Sequence, residues 1–431
     1  MAEGKRKAKM GNTKEFRSEE SVHSSHASGN GVWATYFSVV CVTAGIGILT
    51  LPASLMKGGW VSVIFLIVAG FMAIFSSLLL IECKYAKSGE QLASFPEIGD
   101  AAFGKVGRYV IQTVHYLVLL GSGCILILVA GKVGKPLGDV FGVDINETYF
   151  ILGSGVIVAV PLCILRRMKE FAWMALFGFL TTLVTLVVVV ALSLVAIPIV
   201  PSPTYDAMHP EKLASVCSVF ALSYAGNMIH PHVEGAMREP KKWPLALGMG
   251  LGTVIVFYLL MAVTGYAVFG QNVKEIMFDC FSGLHQTSFD VPNSIARAFI
   301  IAHILLATPL ILCSFSTEVE PLIHITSEKI GVAKATIFRI IFRASVTLAL
   351  TLTALYLPYT MELMQIIGSM FMVINLFLVP IICHLKLFGI RGRSPFQWIC
   401  IVVTLVIGTI TFFAGGYDNI KELITAIQAK K

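Results

Sequence analysis

The stretch Cys41-Val-Thr-Ala-Gly-Ile-Gly-Ile-Leu-Thr-Leu-Pro52 decides how the rest of the chain is read. It lies inside an apolar segment running from Trp33 to Met56, long enough to cross a bilayer. Hydrocarbon offers the backbone no substitute partners, so a span that only anchors keeps an unbroken ladder of helical hydrogen bonds. Here Gly45 and Gly47 stand mid-span, with Thr43 just before them and Pro52 shortly after. Glycine costs roughly 1 kcal/mol against alanine in a helix interior and proline about 3, and proline also removes a donor. The stretch therefore reads as a helix unwound near the membrane centre, presenting backbone N–H and C=O groups to a ligand. A close-packing face, where small residues let helices touch, is the plainer alternative.

The composition around it belongs to a membrane protein. Of 431 residues 56% are hydrophobic and 13% charged, where a soluble domain carries about 25% charged. Apolar runs of spanning length recur from end to end, which predicts an all-α polytopic membrane protein with eleven transmembrane helices. They fall at 33–56, 61–82, 109–131, 148–165, 171–198, 213–234, 244–269, 295–317, 338–357, 362–386 and 396–416. Residues 1–30 are polar and rich in Ser and Lys, with no apolar core of a signal peptide. They read as a disordered cytoplasmic tail, residues 31–416 as the membrane domain and 417–431 as a short C-terminal tail.

The net charge of +7 sits in the loops. Segments 1–32, 83–108, 166–170, 235–243, 318–343 and 386–394, which this count of spans puts on one side, hold 23 of the 32 Lys and Arg. That asymmetry places the N-terminus in the cytoplasm and the C-terminus outside the cell or in a lumen, and it explains the charge without nucleic acid. Of nine cysteines only Cys280 falls in a sizeable loop, so no disulfide framework is expected. The sequon Asn146-Glu-Thr148 falls on the non-cytoplasmic side, close to the next span.

The sixth span repeats the anomaly of the first. It reads Ser218-Val-Phe-Ala-Leu-Ser-Tyr-Ala-Gly-Asn-Met-Ile-His-Pro-His-Val-Glu-Gly-Ala-Met237. Ser223, Tyr224, Gly226, Asn227, His230, His232 and Glu234 make it too polar for a passive span, and Pro231 again ends a segment begun by small residues. Paired interruptions in corresponding spans of two halves point to a transporter binding site. The offset is five spans. Spans 1–5 and 6–10 then form two repeats of inverted topology, because five is odd, and the eleventh is an addition.

Two breaks supply both kinds of helix end, which suits a ligand bearing both charges. A carboxylate would meet backbone N–H groups around Ala44, Gly45, Ile46 and Gly47, at the positive end of a half-helix, with Thr43 a further substrate-binding candidate beside them. An ammonium would meet carbonyls and hydroxyls of Ser223, Tyr224, Ala225, Gly226 and Asn227. Tyr116 in the third span and Thr308 in the eighth are further lining candidates. Proton coupling needs a group that titrates near working pH, and Glu234, His230, His232, His303 and His115 are the candidates. His230, His232 and Glu234 have metal-ligand character at spacing two, but Pro231 breaks the helix between the histidines and no second ligand cluster is visible. No metal site and no cofactor is expected. The eighth-span hydroxyls Thr308, Ser314, Ser316 and Thr317 could complete a small-cation site or satisfy the carbonyl freed by Pro309.

On Gly45-Ile-Gly-Ile-Leu-Thr-Leu-Pro52 with Gly58-Gly-Trp60, the chain resembles the amino acid/auxin permease family. Ser223-Tyr-Ala-Gly-Asn227, His230-Pro-His-Val-Glu-Gly-Ala-Met237 and Glu239-Pro-Lys-Lys-Trp-Pro244 carry the resemblance further. Members are similar to G-x-G-x-L-x-L-P in the first span and F-P-x-x-E/Q-x-x-M-x-x-P in and after the sixth. Vesicular inhibitory amino acid and vacuolar members look nearest, through a run similar to Val233–Met237. The resemblance covers residues 30–415. It implies the inverted-repeat fold of the bacterial leucine transporter and secondary transport of amino acids, usually linked to protons. Sodium-coupled members resemble N-A-I-M-G-S-G in the first span, and their asparagine falls on Cys41, which argues against sodium. Proton-coupled lysosomal members carry a histidine where this chain has Ser38.

The expected function is a secondary active amino acid transporter, proton-coupled, working by alternating access around the unwound first and sixth helices in a plasma, vacuolar or lysosomal membrane. The alternative class is an amino-acid-sensing receptor or a channel on the same scaffold, although no charged ring or carbonyl filter supports a channel. No nucleophile–base pair with shared spacing supports an enzyme.

Overall fold

A computed structural model describes residues 29–429, apart from 46, 88–90, 141, 143–145, 167, 285–286, 326–330 and 357–359. The expected N-terminal tail lies almost wholly outside the described residues. Among the described residues ten helices are long and apolar enough to cross a membrane, and one bent pair makes an eleventh span.

That pair is α1 (Val32–Thr43) and α2 (Gly47–Gly58), which meet at 48°. The break follows Thr43, at Ala44 and Gly45. Pro52 does not end the helix as expected: it lies inside α2, with its ring against Gly265 of the seventh span, where an added Cβ would fall 2.7 Å from it. The second span is α3 (Ser62–Lys84) and the third is α4 (Phe95–Val140), kinked at Gly104, whose φ of 66° only glycine adopts freely. The fourth is α5 (Glu147–Ile164) and the fifth α6 (Ala172–Ala196). The sequon residue Asn146 caps α5, its side chain accepting from Thr148 N at 3.1 Å.

The sixth span is broken as well. α7 (Leu213–Ser223) ends in a 3₁₀ segment, Ala225–Ile229, before the short α8 (His230–Gly235). Pro231 opens α8 instead of ending a segment, because a first-turn residue has no helical acceptor for the N–H that proline lacks. The seventh span is α9 (Trp243–Phe269), and a short α10 (Met277–Ser282) leads to the eighth, α11 (Thr287–Leu322). The ninth is α12 (Val332–Tyr356). The tenth joins α13 (Thr360–Ile366) to α14 (Val379–Phe388) through π-helical turns at Ile367–Met372 and Ile374–Leu378. The eleventh, α15 (Pro395–Ile410), passes through another π turn into α16 (Gly416–Ala429). Residues 417–429 are therefore helical where a tail was expected. Asn419 holds it: its amide is fully buried and hydrogen-bonded to the sixth and tenth spans.

Two five-span repeats of inverted topology, with the eleventh span added, account for the packing. The fifth span packs on the first and the tenth on the sixth; the second lies on the tenth and the seventh on the fifth. The third and eighth pack on each other, as do the fourth and ninth. Each pairing maps onto its counterpart when five is added to the span number. Large apolar residues such as Ile64, Phe71, Val156, Val187 and Phe396 stay exposed on the outside, as lipid solvent permits.

The broken spans are also tied at their ends. Asn30 bridges to the chain around Met237, Asn30 N donating to Ala236 O at 2.8 Å and Arg238 N donating to Asn30 O at 2.9 Å. At the opposite face Trp60 N and Val61 N donate to Asp206 O and Ala207 O, each at 3.1 Å. The face bearing residue 29 is called the N-face and the other the C-face.

Candidate substrate and coupling site

The two breaks cross at the centre of the membrane domain in reciprocal contact. A Cβ on Gly47 would fall 2.4 Å from the Ser223 Cβ, and one on Gly226 would fall 2.1 Å from the Thr43 hydroxyl. Four helix ends meet there: the C-termini of α1 and α7, and the N-termini of α2 and the segment after Tyr224. Carbonyl-rich and amide-rich ends are thus brought together. The hydroxyl of Tyr258, from α9, lies 2.6 Å from Thr43 O and 2.7 Å from Ser223 O. It has one proton to donate, so it can serve only one of these two carbonyls at a time.

Beside the crossing is a cavity of about 40 Å³, walled by Val42, Thr43, Gly45, Gly47, Ser122, Ile125, Leu126, Leu222, Ser223, Ala225, Met228 and Ile311. That is room for a water molecule or two, where ligand pockets hold about 300–1,000 Å³. The buried hydroxyls of Thr43 and Ser122 have no hydrogen-bond partner, and buried polar groups left this way ask for one. Gly45 is different from Gly47: a Cβ there would meet nothing nearer than 4.0 Å, the closest atoms being His303 Nε2, Leu126 Cδ2 and Val42 O.

Each expected substrate residue can now be placed. Thr43, Gly45, Gly47, Ser223 and Ala225 line the cavity, while Ile46 lies outside the described residues. The N–H groups of Ala44 and Gly45 are not free as expected. Ala44 N donates to Val40 O at 2.7 Å and Gly45 N to Thr43 O at 2.8 Å, because α1 closes its last turn on them. The amides without a helical acceptor are those of the first turn of α2, from Gly47 onward. Tyr224 points away, donating to Leu66 O at 3.2 Å. Gly226 backs onto Thr43, and Asn227 donates from Nδ2 to Asn375 O at 3.0 Å, its Oδ1 buried without a partner. Thr308 turns its hydroxyl back to Ile304 O at 2.7 Å. Tyr116 lies six residues before Ser122 on α4, about 9 Å toward the N-face, its ring edge-on to Phe315.

The five coupling candidates separate. Glu234 is fully engaged: Lys84 Nζ lies 2.5 Å from one carboxylate oxygen and the Tyr85 hydroxyl donates to the other. Lys84 also reaches Pro231 O at 3.0 Å. His230 is buried edge-on to Trp243 with neither ring nitrogen partnered. His232 reaches Glu318. Residues 230, 232 and 234 thus point three ways, and among the described residues no group of three His, Cys, Asp or Glu is placed to hold a metal ion. His303 Nδ1 lies 2.7 Å from Thr182 Oγ1 and 3.0 Å from Gly178 O. A carbonyl only accepts, so Nδ1 carries a proton, and His303 turns an unpartnered Nε2 toward Gly45. His115 is fully buried between Glu318 and Asn375.

On the N-face a vestibule of about 710 Å³ opens between Gly29, Gln91, Arg166, Pro231, His232, Cys313 and Thr317, among others. Its inner residues Pro231, His232 and Cys313 stand within one helical turn of Met228 and Ile311 in the central cavity wall.

Sequence reasoning missed Tyr258, Ser122, Glu318 and Asn375 as members of these sites. Ser122 carried a signal, sitting in Gly121-Ser-Gly123 within an apolar span. Tyr258 carried none, since a lone tyrosine among aliphatics reads as packing.

The family model for the transmembrane amino acid transporter protein matches residues 28–421. Among curated relatives, amino acid transporter AVT1D of Arabidopsis thaliana is 22% identical over 396 residues, 89% of this chain and 68% of the relative. Amino acid transporter AVT1I of the same plant is 23% identical over 429 residues, 95% of this chain and 99% of the relative. Among solved structures, MHP1, a nucleobase-cation-symport-1 family transporter in a closed conformation with bromovinylhydantoin bound, superposes with a TM-score of 0.59. It is 13% identical and covers 94% of each chain, a likeness of fold.

Proposed function

We propose, from the premise that this chain belongs to the transmembrane amino acid transporter family, that it is a proton-coupled secondary transporter of amino acids working by alternating access. The observation that carries the reading is the crossing of two broken spans around a cavity lined by unpartnered hydroxyls. A zwitterion needs an amide-rich end for its carboxylate and a carbonyl-rich end for its ammonium, and both occur at that crossing. The carboxylate would meet the first-turn amides of α2 from Gly47, with Thr43 and Ser122 as hydroxyl donors. The ammonium would meet Ser223 O, or the second lone pair of Thr43 O beside the Gly45 N–H, whichever the Tyr258 proton does not take.

The vestibule reaching to within one turn of the cavity on the N-face supports an access path from that side. Helix movement at the break would extend the path to the substrate. The charge asymmetry supports a cytoplasmic N-face. Cys41, where sodium-coupled members of the resembling family carry asparagine, supports protons over sodium. The same geometry serves in a plasma or a vacuolar membrane.

The test is uptake of labelled amino acids into proteoliposomes under an imposed pH gradient, an imposed sodium gradient, and neither. Uptake driven by the pH gradient and abolished by a protonophore is expected. Uptake driven by sodium alone would move coupling to the eighth-span hydroxyls, and no uptake under any gradient would overturn the transport reading.

A further inference from the structure

We propose that the coupling proton is held by Glu318 together with His115 and His232, and that Asn375 transmits its presence to the break in the sixth span. The inference rests on the proton-coupled reading and assigns the proton a site that includes Glu318, a residue outside the sequence-derived candidates.

Glu318 Oε1 lies 2.9 Å from His232 Nε2 and 3.3 Å from His115 Nε2. The other nitrogen of His115, Nδ1, lies 3.3 Å from Asn375 Oδ1. Both nitrogens of a fully buried ring, stacked on Phe95, therefore face oxygen atoms. Neutral imidazole has one N–H and can satisfy one of them; imidazolium has two and satisfies both. With Asn375 Oδ1 facing Nδ1, His115 can donate to both oxygens only with an added proton, shared with the carboxylate, whose Oε2 is buried without a partner. When the proton leaves, one nitrogen of His115 becomes an acceptor. The Asn375 amide then has to turn its Nδ2, unpartnered in this arrangement, toward that nitrogen, or the contact opens.

That amide sits in the π-helical turn Ile374–Leu378, and its backbone carbonyl accepts from Asn227 in the 3₁₀ segment of the sixth-span break. Loss or gain of the proton is thus felt, through one residue of the tenth span, at the element that forms the substrate site. His232 is the member with access to solvent, 16% exposed and lining the N-face vestibule. Protons enter and leave there.

Among the described residues, further charged and titratable groups face the cluster from the elements around it. From α4 come Tyr116, beside Glu318, and Arg108. From α3 comes Lys84, held by Glu234. From the segment before α6, Arg166 and Lys169 share the vestibule. On α11 itself, Glu320 is bound by Arg339 and Arg343.

The test compares pH-gradient-driven accumulation with counterflow exchange in proteoliposomes, using a tritiated mixture of the standard amino acids, with proton movement followed by a trapped pH dye. In Glu318→Gln the ratio of accumulation to counterflow is expected to fall about tenfold or more, within the range of coupling between linked sites. Counterflow is expected to lose its pH dependence, and substrate to move without dye response. His232→Gln, at the solvent edge of the cluster, is expected to lower the same ratio and serves if Glu318→Gln does not fold. A wild type whose substrate moves protons, with that movement intact in both variants, overturns the site alone. A wild type that transports without moving protons overturns the coupling reading and the site together.

Discussion

Gly47 and Ser223 meet backbone to backbone: a β-carbon added to Gly47 would fall 2.9 Å from the Ser223 Cα. Two residues away, a β-carbon added to Gly45 would meet nothing nearer than 4.0 Å. The two glycines of one motif therefore do different work, one packing the breaks together and one leaving room beside them. Gly47→Ala should cost about 1–3 kcal/mol as overpacking, seen as a lower melting temperature of the detergent-purified protein. Gly45→Ala should melt as the wild type does and lose transport by about tenfold or more, the equivalent of about 1.4 kcal/mol. Equal melting points with equal loss of transport would remove the distinction.

Tyr258 offers a single proton to the carbonyls of Thr43 and Ser223. Tyr258→Phe leaves two buried carbonyls without that donor, which should destabilise by about 1–3 kcal/mol. An ammonium group could replace the lost donor, so substrate should raise the melting temperature of Tyr258→Phe by more than it raises that of the wild type. A substrate-induced shift smaller than the wild-type shift would count against the ammonium lying there.

Lys84 and Glu234 form a buried pair at the N-face end of the sixth span. Glu234→Gln strands a buried lysine and should cost about 3–5 kcal/mol. The double variant Lys84→Met/Glu234→Leu should recover much of that loss. Because both oxygens of Glu234 are engaged, the pH profile of the transport that remains in Glu234→Gln should keep its shape. A flattened profile would return Glu234 to the coupling step.

Asn419 accepts from Ser215 Oγ at 2.5 Å and donates toward Gln365 O at 3.0 Å, with Ser218 and Ser369 hydroxyls at 3.2 Å. Glu422, one turn later, meets Lys212 at 2.8 Å. α16 is therefore part of the C-face packing. Asn419→Ala should cost about 1–3 kcal/mol through the polar groups it leaves unmatched. Truncation after Gly416 should lower the melting temperature further; an unchanged value would show that α16 contributes nothing to the packing.

The membrane class, the eleven spans and their five-span offset were legible because each rests on local chemistry. Twenty apolar residues in a row have few other uses, and Gly45, Gly47 and Pro231 weaken a helix wherever it is placed. The exact breakpoints were less legible. Pro52 and Pro231 both looked like terminators, yet Pro231 starts a helix, where its missing N–H has no helical acceptor, and Pro52 lies within α2, which continues although Ile48 O loses the N–H four residues on. The C-terminal segment looked like a tail because its charges are visible in the sequence and the pocket that buries Asn419 is not.

What the sequence determined by itself is that the first and sixth spans must break. What only the tertiary structure decided is which polar side chains face one another. His230, His232 and Glu234 lie within five residues and point to Trp243, Glu318 and Lys84. His115 and Glu318 are 203 residues apart and touch. Local breaks follow from the intrinsic cost of glycine and proline in a helix. Long-range polar contacts depend on the rotation of each helix about its axis, which is set by packing against neighbours that no single stretch of sequence contains.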